Sequence, residues 1–118
     1  LIDRHKAYRA GRWAESIAAN VLRLKGYRVL ARRVRTPVGE IDLVVRRGAV
    51  LAFVEVKQRA DLTAALEAVR PQQAQRIVRA AEAFVAMRPE LADLQMRFDV
   101  FAVLPRRWPC HIIDAWRP

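Results

Sequence analysis

The stretch Gly39 to Lys57, GEIDLVVRRGAVLAFVEVK, constrains the fold more than any other part of the chain. It reads as two extended segments, Glu40 to Val45 and Val50 to Val56, joined by a tight turn around Arg47, Gly48 and Ala49. Both segments are rich in β-branched and aliphatic residues, the composition of β-strands. Successive strand side chains point to opposite faces. Glu40, Asp42 and Val44 are therefore expected on one face, with Ile41, Leu43 and Val45 on the other. On the second segment Phe53, Glu55 and Lys57 share a face, opposite Val54 and Val56. If residues 47 and 50 pair across the turn, Asp42 lies beside Glu55. If the loop is Arg47-Gly48, the register shifts by one pair and the two become diagonal neighbours. In both registers two carboxylates and one lysine converge amid apolar strand residues.

Such an arrangement is costly. Acidic groups buried in apolar strands must be paired, protonated or bound to a cation. Two carboxylates a few ångström apart repel, and a divalent metal relieves the repulsion. Lys57 lies on the face of Glu55, near enough to act on whatever the metal holds. These groups suit a Mg²⁺ or Mn²⁺ site for cutting a phosphodiester bond. A structural salt bridge of Lys57 with Asp42 or Glu55 is the alternative, and it leaves the other acid unpaired.

Asp42 followed at a distance by Glu55-Val56-Lys57 resembles the D…(D/E)-x-K signature of the restriction-endonuclease-like nucleases. Gly39-Glu40-Ile41-Asp42-Leu43 together with Phe53-Val54-Glu55-Val56-Lys57-Gln58-Arg59 is similar to the YraN-type family of small bacterial proteins, related in fold to Holliday-junction resolvases. The resemblance runs from about Gly11 to about Val103. Its other pieces are Ala14-Glu15, Gly26-Tyr27, Ala68-Val69, Gln73 with Arg76, and Arg97-Phe98-Asp99-Val100. It implies a three-layer α/β fold in the order α-β-β-β-α-β-β, a central mixed sheet flanked by helices. It also implies that Glu15 adds to the metal site, that the Val56 backbone carbonyl is a further ligand, and that Gln73 faces the site. Branched or otherwise structured DNA as substrate is implied by the family alone.

The 118 residues fit one domain, 1–118, and 53% hydrophobic residues supply a core. The formal net charge is +10, and Lys6, Lys25 and Lys57 are the only lysines, so arginine carries the excess. That charge favours a polyanion, nucleic acid before an anionic membrane surface. A homodimer is compatible with the same reading. Cys110 is the only cysteine. No internal disulfide or thiolate metal cage can form, which fits a reducing cytoplasm. No apolar run approaches the length of a membrane span, and no secretory leader is legible.

Along the chain, apolar spacing predicts a helix from about Asp3 to Lys25, stopped by Gly26. Glu15 lies at the edge of its apolar stripe, where a solvated charge paired with Arg12 or Arg23 competes with the site role. Trp13 reads as core or rim packing. Tyr27 to Val34 reads as a strand whose Arg28, Arg32 and Arg33, with Arg35 beyond, lead into the acidic site. They suit phosphate contacts, as do Arg59 and Arg76, or else a charged edge strand that discourages aggregation. Ala64 to Val69 is a helical turn, and Pro71 opens a longer helix ending near Arg88. That helix would cross the sheet and deliver Met96 to Val103 as a strand beside the one carrying Glu55. Cys110 to Trp116 is a last strand, at an edge. Asp99 is expected to pair with an arginine, and His111 to lie at the surface.

In the catalytic reading Asp42 and Glu55 hold the ion, Lys57 stabilises charge on the phosphate or holds water, and Glu15 positions a second ion or water. Glu40 supports from outside or pairs with an arginine. Three classes stay open: a metal-dependent nuclease, a nucleic-acid-binding protein of the same fold without catalysis, and a basic scaffold or membrane-surface protein. The third lacks the basic amphipathic helix it would need.

Overall fold

The computed structural model describes the backbone of residues 4–118 and the side chains of residues 11–118. Helix α1, Arg4–Leu24, ends where the sequence places Gly26. Gly26 takes φ 91. Its N–H donates to the Arg23 carbonyl at 3.0 Å, and the Tyr27 N–H to the Leu22 carbonyl at 2.9 Å. This pair of bonds is the Schellman closure, and it needs the left-handed backbone that glycine adopts without strain. Arg47 closes the same end by donating from Nη1 to the Lys25 carbonyl at 3.1 Å.

Strands β1 (Arg28–Thr36), β2 (Gly39–Arg47), β3 (Val50–Gln58), β4 (Gln95–Val103) and β5 (Cys110–Trp116) follow. They form one sheet in chain order. All neighbours are antiparallel except β3 and β4, which are parallel. A parallel pair requires a crossover connection. Helices α2 (Leu62–Glu67) and α3 (Pro71–Ala86) supply it. Asp61 caps α2, its Oδ1 accepting the Ala64 N–H at 2.8 Å. Pro71 opens α3, where its missing N–H leaves no bond unmade.

Each face of the sheet has its own helix. Ala14, Ala18, Ala19 and Leu22 of α1 pack on Leu43, Val45, Ala52, Val54 and Phe101. Ile77, Ala80, Ala81 and Phe84 of α3 pack on Ile41, Val44, Leu51, Phe53 and Phe98. Strand β3 is thus apolar on both sides, which is why its sequence runs Val-Leu-Ala-Phe-Val without polar interruption until Glu55. The result is the expected three-layer α/β arrangement, a mixed sheet between helices.

The β2–β3 hairpin takes the first of the two registers, with Arg47 opposite Val50 and Leu43 opposite Val54. Gly48 opens the two-residue loop at φ 59, as glycine does at the first position of a II′ turn. The β2–β3 ladder stops at Leu43 and Val54. Beyond that point β2 keeps pairing with β1 as far as Gly39, and β3 with β4 as far as Gln58. The sheet therefore forks at Asp42 and Glu55.

One expected face assignment changes at the fork. Leu43 and Val45 face α1, but Ile41 packs with Val44 against α3. In β1, Arg33 adopts φ 51 between Arg32, opposite Leu43, and Val34, opposite Ile41. A left-handed conformation is uncommon for a residue with a β-carbon. The strict two-residue alternation fails because the strands twist apart here. Trp13 is 58% exposed, which leaves the rim alternative of the two read for it.

Candidate active site

The fork creates the site. Where β2 leaves β3, the Asp42 carboxylate replaces a strand carbonyl: its Oδ2 accepts the Val56 N–H at 2.8 Å. Glu55 is buried at 6% exposure. Gln73, in the first turn of α3, donates from Nε2 to Glu55 Oε2 at 3.4 Å. Lys57 Nζ stands 3.9 Å from Glu55 Oε1. Asp42, Glu55, Lys57 and Gln73 are thus brought together, and Val56 joins them through its main chain.

Electrostatics mark the same place. The Glu55 carboxyl is pushed up to about 9. Burial is the first cause, followed by its hydrogen bond to Asp42 and the charge of Asp42. The Lys57 ammonium pulls the other way and does not prevail. Two acids and one amine therefore leave the cluster short of positive charge, and a proton bridging Asp42 and Glu55 makes up the difference. A divalent cation would do the same with oxygen donors, the kind that Mg²⁺ and Mn²⁺ take. Among the described residues no three His, Cys, Asp or Glu side chains gather at one point. The donor set is then two carboxylates and the main chain, which suits an ion that keeps several waters.

Beside this cluster opens a cleft of about 510 Å³, which Asp42, Val56 and Lys57 line and Glu55 and Gln73 do not. Its walls include Glu15 from α1, Arg33 and Arg35 from β1, Glu40 and Asp42 from β2, and Lys57 and Arg59 at the end of β3. Glu15 is buried rather than solvated. Both its oxygens accept from Arg33 Nε, at 3.2 and 2.9 Å. Arg32 Nε lies 3.8 Å from Glu15 Oε1, and its Nη2 donates to Ser16 Oγ at 3.2 Å. Glu15 thus lines the cleft but sits in an arginine clamp, and Arg33 serves that clamp. Nothing in the local sequence signals this pairing, because the two residues are 18 positions apart.

The other arginines divide. Arg35 Nε lies 3.7 Å from Glu40 Oε1, both side chains exposed at the cleft rim. This realises the arginine pairing weighed for Glu40. Arg59 lines the cleft and donates from Nη1 to the Gln58 carbonyl at 2.8 Å. Arg76 is exposed on α3, and its backbone carbonyl would lie 2.8 Å from a Cβ built on Gly39. Glycine is required there because α3 rests directly on the start of β2. Arg28 does not join the site. It pairs across from Arg46 at the other end of β1, in a surface hollow with Arg23 and Arg47, because β1 runs its full length between that end and the fork.

Asp99, fully buried, accepts from Arg97 Nε at 2.9 Å and Nη2 at 2.8 Å. Its partner is therefore an arginine. His111 also meets it, Nε2 to Oδ2 at 2.8 Å, with its side chain only 4% exposed. The surface position expected for His111 is overturned, since the β4–β5 pairing turns the ring inward over Asp99.

A sheet clad by a helix on each face, its central hairpin forking around two acids and a lysine, defines a restriction-endonuclease-like fold. The chain belongs to UPF0102, described as an uncharacterised protein family, whose model matches residues 14–103. This is the YraN family of the sequence resemblance. A UPF0102 protein of Parvibaculum lavamentivorans is 59% identical over 112 residues, covering 95% of this chain and 84% of that protein. One from Paramagnetospirillum magneticum is 55% identical over 94% of this chain and 89% of its own. One from Chelativorans is 51% identical over 98% of this chain and 93% of its own.

Proposed function

We propose that the protein is a Mg²⁺- or Mn²⁺-dependent nuclease acting on nucleic acid, DNA by family resemblance, in the cytoplasm. The observation that carries this reading is the fork, which draws Asp42, Glu55 and Lys57 together, with the Glu55 carboxyl buried and pushed up to about 9. Among the described residues no helix is long and apolar enough to cross a membrane.

Asp42 and Glu55 would hold the ion, with the Val56 carbonyl as a main-chain donor. Once bound, the ion supplies Lewis acidity toward a phosphate oxygen and water. Glu55 would release its proton to solvent on holding the ion. Lys57 presents a compact ammonium beside Glu55, placed to steady negative charge growing on the phosphate. Gln73 fixes the Glu55 carboxylate from α3. The Val56 N–H fixes Asp42, so neither acid needs to reorganise as charge develops. Arg35 and Arg59 hold the sugar-phosphate chain at the rim, with Arg76 exposed on α3 as a further contact, and Arg32 and Arg33 keep Glu15 oriented in the wall.

The Glu15–Arg33 pair supports a second reading, a binding protein of the same fold in which that acid does no chemistry. A cleavage panel separates the two. Single-stranded, duplex, flap and four-way DNA are incubated with Mg²⁺ and Mn²⁺, wild type beside Lys57→Ala. The nuclease reading expects ion-dependent cleavage that falls by roughly 10²–10³-fold in Lys57→Ala. Equal activity in the two proteins overturns it, and binding without cleavage supports the second reading.

A further inference from the structure

Beside the carboxylate cleft lies a second hollow that the proposed reaction does not use. Its volume is about 870 Å³. One wall is α1, with Trp13, Ile17 and Val21; the other is the turn between β4 and β5, from Leu104 to Pro109. Trp13 is 58% exposed and Trp108 91% exposed. Large indoles are ordinarily well buried, so two on one groove call for an occupant. Arg59, Arg106 and Arg107 line the same hollow, and among the described residues no acidic one does. Gln58 and Arg59 line this hollow and the carboxylate cleft alike, so the two run together at the end of β3.

Aromatic faces interleaved with unopposed arginines match one chemistry. Bases stack on indoles while phosphates lie on guanidinium groups. The faces of bases inside a duplex are already stacked and cannot be offered to Trp108. An apolar peptide would gain nothing from three arginines, whereas a polyanion would.

We infer that this groove seats an unpaired stretch of nucleic acid, its bases on Trp13 and Trp108 and its phosphates on Arg59, Arg106 and Arg107. This rests on the reading of the neighbouring cleft as a phosphodiester site. It names the substrate class: nucleic acid with a single-stranded segment beside the bond to be cut, such as a flap, a gap or a splayed branch.

The test is binding without divalent ions, measured by fluorescence anisotropy in EDTA. The probes are labelled single-stranded oligodeoxyribonucleotide, single-stranded oligoribonucleotide and blunt duplex DNA, and the proteins are wild type, Trp108→Ala, Trp108→Phe and Trp13→Ala. Trp108 is almost wholly exposed, so its replacement leaves the core intact. Trp108→Ala is expected to weaken single-strand binding by roughly 5- to 150-fold, the range of one lost base stack. Trp108→Phe should keep most of the affinity, and duplex binding should change less than about twofold in either variant. The two single strands distinguish DNA from RNA as the source of the stacked bases.

Equal single-strand affinity in wild type and Trp108→Ala overturns the inference, as does an equal loss for duplex. So does an indole fluorescence shift with phosphatidylserine vesicles but none with oligonucleotides, or a wild-type dimer in sedimentation that Trp108→Ala abolishes. Because no ion is present, the outcome does not depend on cleavage. Stacking without cleavage would remove the nuclease reading alone, and cleavage without stacking would remove this one.

Discussion

The Asp42 carboxylate accepts the Val56 backbone N–H at 2.8 Å, at the point where β2 parts from β3. One side chain thus closes the fork and faces Glu55 across it. The two tasks separate by substitution. Asp42→Asn keeps an acceptor for Val56 and offers an N–H to Glu55, so the fold should be retained and the proton on Glu55 released. Asp42→Ala leaves the Val56 N–H without its acceptor, a cost of about 1–3 kcal/mol. Urea unfolding of both variants without divalent ions should find the Asn form the more stable. The reverse order would mean that the bond does not hold the fork.

Glu55 sets the pH dependence. Its folded value of about 9 lies above the ordinary 4.5. The folded state therefore binds this proton more tightly than the unfolded state. The stabilisation is complete below about pH 4.5 and is lost as pH rises toward 9. By pH 7 the loss is on the order of 3 kcal/mol. Glu55→Gln cannot ionise and should lack this slope. Melting curves from pH 5 to 9 without divalent ions should diverge, wild type falling away from Glu55→Gln. Parallel curves would contradict the buried, protonated Glu55.

Gly39 meets the backbone of Arg76 so closely that a Cβ would lie 2.8 Å from its carbonyl oxygen. Backbone cannot swing aside as a side-chain tip can. Gly39→Ala should lift the first turns of α3 from β2, at a cost of about 1–3 kcal/mol. Burial is the first cause of the raised Glu55 value, so lifting α3 to admit solvent should also give a lower Glu55-dependent slope in the pH series above. Wild-type stability in Gly39→Ala would contradict the contact.

Arg59 at the rim and Arg76 on α3 should register in salt dependence. Replacing Arg59 or Arg76 by Gln should each reduce the slope of log affinity against log salt by about 1 for duplex DNA. Arg28→Gln, at the other end of β1, should leave the slope unchanged. A drop of similar size for Arg28 would place the nucleic acid elsewhere on the molecule.

What the sequence makes legible follows local rules. Gly26 stops α1, Gly48 turns the hairpin, Pro71 opens α3, and alternation places Glu55 and Lys57 on one face of β3. Each depends on residues within a turn or a strand pair. The corrections lie where distant elements meet. The left-handed Arg33 and the reversed facing of Ile41 arise from the fork, which no local pattern encodes. The clamp of Arg33 on Glu15 and the burial of His111 over Asp99 need the sheet assembled first. Trp13 carries an apolar side chain at helical spacing, yet its outlook is set by the β4–β5 turn nearly a hundred residues later in the chain.

Calorimetric titration of Mn²⁺ into wild type and Asp42→Asn, at pH 8 in two buffers of different ionisation enthalpy, tests the central claim most directly. Wild type should bind about one ion and release close to one proton as it displaces the proton held on Glu55, and Asp42→Asn should lose the binding while remaining folded. No binding by wild type, or equal binding by the two proteins, would contradict the account.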